Sequence, residues 1–271
     1  MNRRGIRAVV RRDLAIVARS RAVMLPLIIL PVLFLVLLPA AIAAVVSRLP
    51  ATVPDEAEGV MARLPADVLA ALPEQPGARI AVVAVTFLLP PLTMIVPLMV
   101  AQVIATDAIA GERERGTLEG LLLTPLSDRE LLVAKLLTAL IPALAVELAG
   151  ALLYTVVVDV LLWPYTHALV LPTAGWLALV LWLGPAVAAA GLGIAVLVSA
   201  RVGTVQGASQ ISGVAVLPVV FLALGQVTGL LFVGAGLILV VGVVFWGLAA
   251  LFAYLSTRML RRERLGARLA R

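Results

Sequence analysis

Six stretches of the chain, residues 22–47, 80–106, 136–162, 173–200, 205–226 and 229–257, are apolar and almost free of ionised side chains. Each reaches the ~20 residues that an α-helix needs to cross about 30 Å of hydrocarbon. Lipid offers the backbone no hydrogen-bond partners, so such stretches satisfy their amides internally and are helical. The pattern predicts an all-α integral membrane protein with six transmembrane helices. Gly225 to Gly229 leaves room only for a tight hairpin between the last two spans. The first run is longer than the ~7–15-residue apolar core of a cleaved signal peptide, so it reads as a membrane helix.

Between the apolar runs the periodicity changes. Over residues 1–21, Ile6, Val9, Val10, Leu14, Ile16 and Val17 fall on one arc of a helical wheel and Arg4, Arg7, Arg11, Arg12 and Arg19 on the other. This predicts an interfacial amphipathic helix on the inner leaflet. Asp13 sits inside the apolar arc and needs a partner from elsewhere in the protein. Residues 48–79 form a loop rich in proline and acid, with a short amphipathic stretch around 60–72 suited to lie over the outer mouth. Residues 258–271 are a basic extension of span six that reads as a charge anchor.

The basic residues orient the whole. Eighteen of the 21 lie in the N-terminal segment, the loops after spans two and four, and the tail; Arg48, Arg63 and Arg79 are the other three. The positive-inside rule then puts both termini and the 107–135 loop in the cytoplasm and residues 48–79 outside. A net charge of +6 in a soluble protein would suggest nucleic acid, but here the charges flank hydrophobic spans, and an anionic membrane surface accounts for them. With 63% apolar residues and a mean hydropathy of +1.14, no water-soluble core explains the composition. There is no cysteine and one histidine, His167, so a metal site would have to be built from carboxylates almost alone. Neither a metal nor a cofactor is expected in this chain. Lys135 is the one lysine among those basic residues, a bias that points to a GC-rich bacterial genome and so to a bacterial plasma membrane.

Residues 107–135 read DAIAGERERGTLEGLLLTPLSDRELLVAK. Their first half can form a short helix with Glu112, Arg115, Gly116 and Glu119 on one face and Leu118, Leu121 and Leu122 on the other. Thr124 and Pro125 break it. Ser127 with Glu130 three residues later makes a capping box that starts a helix running into span three. By these residues alone the segment is either a docking helix or a solvated connector held by pairs such as Glu112 with Arg115.

The run from Gly111 to Glu119, followed by Leu-Thr-Pro-Leu-Ser at 123–127 and then Lys135, resembles the signature loop of type-2 ATP-binding-cassette (ABC) permeases. The order of elements is similar to that family along essentially the whole chain, though the outer loop is short beside members that carry large external domains. The resemblance implies that this loop is a coupling helix, and that Glu112, Arg113, Glu114, Gly116, Thr117 and Glu119 contact or orient toward a separate ABC ATPase subunit. It also implies two membrane subunits, expected as a homodimer. The chain has no G-x-x-x-x-G-K-[ST] phosphate loop. ATP and magnesium are therefore expected in the partner, and this chain is not the enzyme.

Within the spans, Thr86, Pro90, Thr93 and Pro97 recur at helical spacing on span two, and Gln206, Ser209, Gln210 and Gly213 on span five. Either stripe can line a path or bond helices together. Small residues in 184–193 suit close packing of span four. Glu147 is the ionisable residue deepest in a span, where a carboxylate is costly unless neutralised or paired; it is a structural hydrogen-bonding group or a proton, sodium or substrate contact. Asp159 and His167, near the outer end of span three, read as solvated. The function expected is an ATP-driven exporter permease for a hydrophobic or amphipathic drug, lipid or peptide, with a sodium exporter as the alternative. An intramembrane enzyme or a scaffold ranks lower, since no HExxH, GxSxG or paired-aspartate pattern is visible. The orientation has a direct test: a cysteine introduced at Glu58 should react with a membrane-impermeant thiol reagent added outside, and labelling from the cytoplasm alone would overturn it.

Overall fold

The computed structural model describes residues 2–47, 61–62, 64, 66–116, 126–202, 204–227 and 235–259. Among these the chain is helical, with no strand. Six helices are long and apolar enough to cross a membrane: Val23–Val46, Pro90–Gly111, Arg129–Thr166, Ala174–Ser199, Val205–Gly225 and Gly236–Arg258. Most of the tail, the hairpin tip between spans five and six, and residues 48–60 of the outer loop lie outside the described residues.

Spans two and four form the centre. Over their apolar stretches 83% and 72% of positions are buried, against at most 33% for the other four. Small residues allow the close approach: a Cβ on Gly191 would collide with the Leu98 side chain, and one on Gly193 would meet Phe252 Cβ at 2.5 Å. Outward faces of the peripheral spans carry Leu25, Ile28, Leu152, Val160, Phe221, Val240 and Val243, all exposed. An apolar surface of this extent is untenable in water and belongs against lipid or another apolar partner.

Prolines bend span two and leave carbonyls to be satisfied. Its first part, Pro76–Leu88, is separated from Pro90–Gly111 at the Pro90–Pro91 pair, where two ring nitrogens cannot donate. In the widened turn Ala84–Leu88 the Val85 carbonyl accepts from the Tyr154 hydroxyl of span three at 2.6 Å. Tyr154 is fully buried and stacks on Trp176 of span four, ring centroids 4.7 Å apart, while Trp176 Nε1 donates to Thr155 Oγ1 at 3.1 Å. Spans two, three and four are thereby tied together around Tyr154.

Span three belongs to a 39-residue helix, Asp128–Thr166, about 58 Å long at 1.5 Å per residue. It outruns a ~30 Å hydrocarbon core, so some of it stands clear of lipid. Ser127 caps it with both hydrogen bonds of the capping box, and it ends at His167, whose φ of 48° reverses the chain. His167 is exposed, as its sequence position suggests. Asp159 is not solvated: it is buried, and its Oδ1 accepts from the backbone amides of Val170 at 2.8 Å and Leu171 at 3.0 Å. The loop after His167 folds back over the helix end and offers its unpaired amides to the nearest acceptor, which removes the carboxylate from water. Asp159→Asn keeps an acceptor there and should melt close to the unsubstituted protein in detergent. Asp159→Ala leaves two amides unsatisfied and should cost about 1–3 kcal/mol.

Candidate functional site

The stem of the 107–135 loop is the most densely charged interior region among the described residues. Span two continues through a widened turn, Asp107–Gly111, into the short helix Glu112–Glu114, and then reverses at Gly116 with φ +69°. That left-handed conformation is open to glycine and strained for most other residues. A helix presenting Glu112 and Gly116 on one unbroken face is therefore not what forms, because the chain turns before Gly116. Arg115 folds back over Gly111, and its guanidinium donates to Asp107 Oδ1 at 3.2 Å.

Glu112 points inward. Its Oε1 accepts from Lys135 Nζ at 2.9 Å and from Arg12 at 2.7 Å, and the residue is 5% exposed. Lys135 Nζ also donates to Asp13 Oδ2 at 2.7 Å, and Arg12 pairs with Asp13 Oδ1 at 3.0 Å. Asp13, the acid misplaced in the apolar arc of the N-terminal helix Arg3–Arg19, thus finds its partner across 122 residues of sequence. Two carboxylates and two cations close a neutral ring in which the side chains of Asp13, Glu112 and Lys135 are at most 7% exposed and Arg12 reaches the surface. Removing one member of such a buried set strands its partner and costs about 3–5 kcal/mol. Lys135 and Arg12 each bridge the same two carboxylates, Lys135 from the buried side as a compact ammonium and Arg12 from the surface side.

The same stem reaches span five. Glu114 Oε2 accepts from the Val205 amide at 3.3 Å, at the first turn of that span. One turn further in, the Ser209 hydroxyl meets Thr106 Oγ1 of span two at 3.2 Å, and Gln102 Nε2 donates to the Ser212 carbonyl at 2.9 Å. That carbonyl borders the tightened turn Gly213–Val216. Of the loop residues singled out from the sequence, Glu114 and Gly116 are exposed, Arg113 lies in the short helix, and Thr117 and Glu119 lie outside the described residues.

The intramembrane candidates do not converge on one channel within this chain. Thr86 lines a cavity of about 360 Å³ between the loop helix Ala66–Ala70 and the turn at 166–173. Thr93 is buried and donates to the Pro90 carbonyl at 2.6 Å. Ser209 joins spans two and five, while Gln206 and Gln210 stand exposed on the outward edge of span five. Glu147 is buried on span three with neither carboxyl oxygen hydrogen-bonded among the described residues, seated against Gly184 so closely that a Cβ there would collide with Oε1. Arg12, Lys135, Gln102 and Thr106 escaped the sequence reading as site residues. Two signals pointed to three of them: Lys135 is the sole lysine, and Gln102 and Thr106 are polar one turn apart among apolar neighbours at the end of span two.

No curated protein matches the chain. A family model described as ABC-2 family transporter protein matches residues 7–259, from the N-terminal helix to the end of span six. The chain therefore belongs to the ABC-2 family of transporter proteins.

Proposed function

We infer that the chain is the membrane subunit of an ATP-driven exporter in a bacterial plasma membrane, with both termini cytoplasmic. It works with a separate ABC ATPase that carries the ATP and magnesium, and with a second copy of itself. The observation that carries this reading is the loop stem, where Glu112 is bonded to Lys135 of span three and Glu114 to the start of span five. A push on the turn at Arg115 and Gly116, both exposed, reaches two spans through short polar bonds and a third element through Asp13 and Arg12.

Because the polar candidates do not meet inside one chain, the path is assigned to the junction of two copies along the outward edge of span five. Gln206 and Gln210 are exposed there, and amides facing hydrocarbon are costly unless covered by protein or water. The cargo is hydrophobic or amphipathic, in keeping with a path of hydroxyls, amides and little charge. A second reading, sodium export, is favoured by one observation: the Glu147 carboxyl has no hydrogen-bond partner among the described residues.

Docking and chemistry are tested separately. Glu119→Lys and Gly116→Trp should each lower the amount of ATPase recovered with the chain by about tenfold or more, since opposed like charges or a bulky spacer cost several kcal/mol at an interface. Arg261→Ala in the tail should leave recovery unchanged. If all three variants bind the ATPase like the unsubstituted chain, the loop is a connector and the reading fails. Glu112 is unsuited to this test, because reversing its charge breaks the buried ring.

Glu147→Gln keeps a hydrogen-bonding group in the Gly184 notch and should fold, whereas Glu147→Lys should reduce folded protein by placing a cation within the bilayer at a cost of about 3 kcal/mol. Normal transport by well-folded Glu147→Gln rejects the sodium reading, and selective loss of sodium efflux supports it.

A further inference from the structure

The N-terminal helix touches both ends of the coupling loop. At its start, the Asn2 amide donates to Glu130 Oε1, and Gly5 is packed so closely on Leu126 that a Cβ would meet Leu126 Cδ2 at 2.6 Å. Both Leu126 and Glu130 belong to the descending end of the loop. Two to three turns further along, Arg12 and Asp13 join Glu112 of the ascending end and Lys135 of span three. Part of the apolar arc is also turned to the protein, since Ile6 and Val17 are buried with Asp13 on the inner edge of the helix. A helix whose role ended at a lipid surface would need neither a buried aspartate nor contacts to both loop ends.

We propose that the N-terminal helix is a brace for the coupling loop, with Asp13 and Lys135 as positioning residues that hold the two stems at a set separation. Movement of the loop then passes as one rigid unit to span three and, through Ser20, to span one. The ring is net neutral and its carboxylates are shielded from water, so it resists shear: sliding either stem separates an anion from a buried cation. The proposal rests on the reading that an ATPase engages this loop. It adds that transmission, as distinct from docking, depends on residues the ATPase does not touch.

The chain offers its own probe, because Lys135 is its sole lysine. The complex of full-length chain and ATPase, in lipid nanodiscs, is treated with an amine-reactive acylating ester, and modification of Lys135 is followed by peptide mapping, with ATP hydrolysis measured on the same sample. In the unsubstituted complex Lys135 should be acylated at least about tenfold more slowly than after Asp13→Asn, because local opening governs its access. Asp13→Asn and Lys135→Met should retain the ATPase in pull-down yet lose most ATP hydrolysis by the complex. Exchanging all four charges, Arg12→Glu, Asp13→Lys, Glu112→Lys and Lys135→Glu, is the swap that rebuilds the ring with its polarity reversed, and it should recover hydrolysis. Unchanged hydrolysis in Asp13→Asn, alongside faster acylation of Lys135, would overturn the proposal by showing that the ring only holds the fold. Loss in both single variants without rescue by the swap would overturn it too. If the unsubstituted chain recovers no ATPase, the functional reading fails first, before any variant is made, and this inference falls with it.

Discussion

The absence of water around most of this chain is the constraint on which the rest depends. In hydrocarbon a free amide or carbonyl costs several kcal/mol, so each break in a helix has to be met by a side chain. The structure shows this repeatedly. Tyr154 serves the Val85 carbonyl where prolines bend span two, Gln102 serves Ser212 beside the tightened turn in span five, and Asp159 takes the amides of Val170 and Leu171. Each repair crosses from one span or loop to another, so the bonds that satisfy the backbone also fix which helices are neighbours.

Charge obeys the same rule more severely. Three of the least exposed charged side chains among the described residues, Asp13, Glu112 and Lys135, lie in one ring where the N-terminal helix, the loop stem and span three meet. A ring of this kind contributes little net stability over an apolar replacement, but it is intolerant of partial removal. That property suits a joint: the three elements hold together in one register or not at all. Glu147 is the exception inside the bilayer, buried with no hydrogen-bond partner among the described residues.

Much of this architecture was legible in the chain. Length and hydropathy show the six spans directly, because a bilayer imposes a minimum run that few other environments require. Ser127 and Glu130 announce the start of the third span's helix, and Asp13 advertises its need for a partner by standing in an apolar arc. What periodicity does not supply is the identity of partners distant in sequence. Glu112 reads as an outward docking residue because local spacing says nothing of Lys135 and Arg12 folding onto it, and Asp159 reads as solvated because the returning loop cannot be seen from its neighbours. The threonine and glutamine stripes share a helix face as spaced, yet helix bends and the packing of spans two and five send their members to different surroundings.

The central claim is that the loop between spans two and three faces a nucleotide-binding protein. It is tested most directly by placing a photoreactive side chain at Glu119, with a control at the exposed Leu169 at the opposite end of span three, and identifying the crosslinked polypeptides by mass spectrometry from intact membranes. The account predicts that Glu119 captures a polypeptide bearing a phosphate-binding loop and that Leu169 does not. Crosslinks from Glu119 confined to lipid or to this chain itself would contradict it.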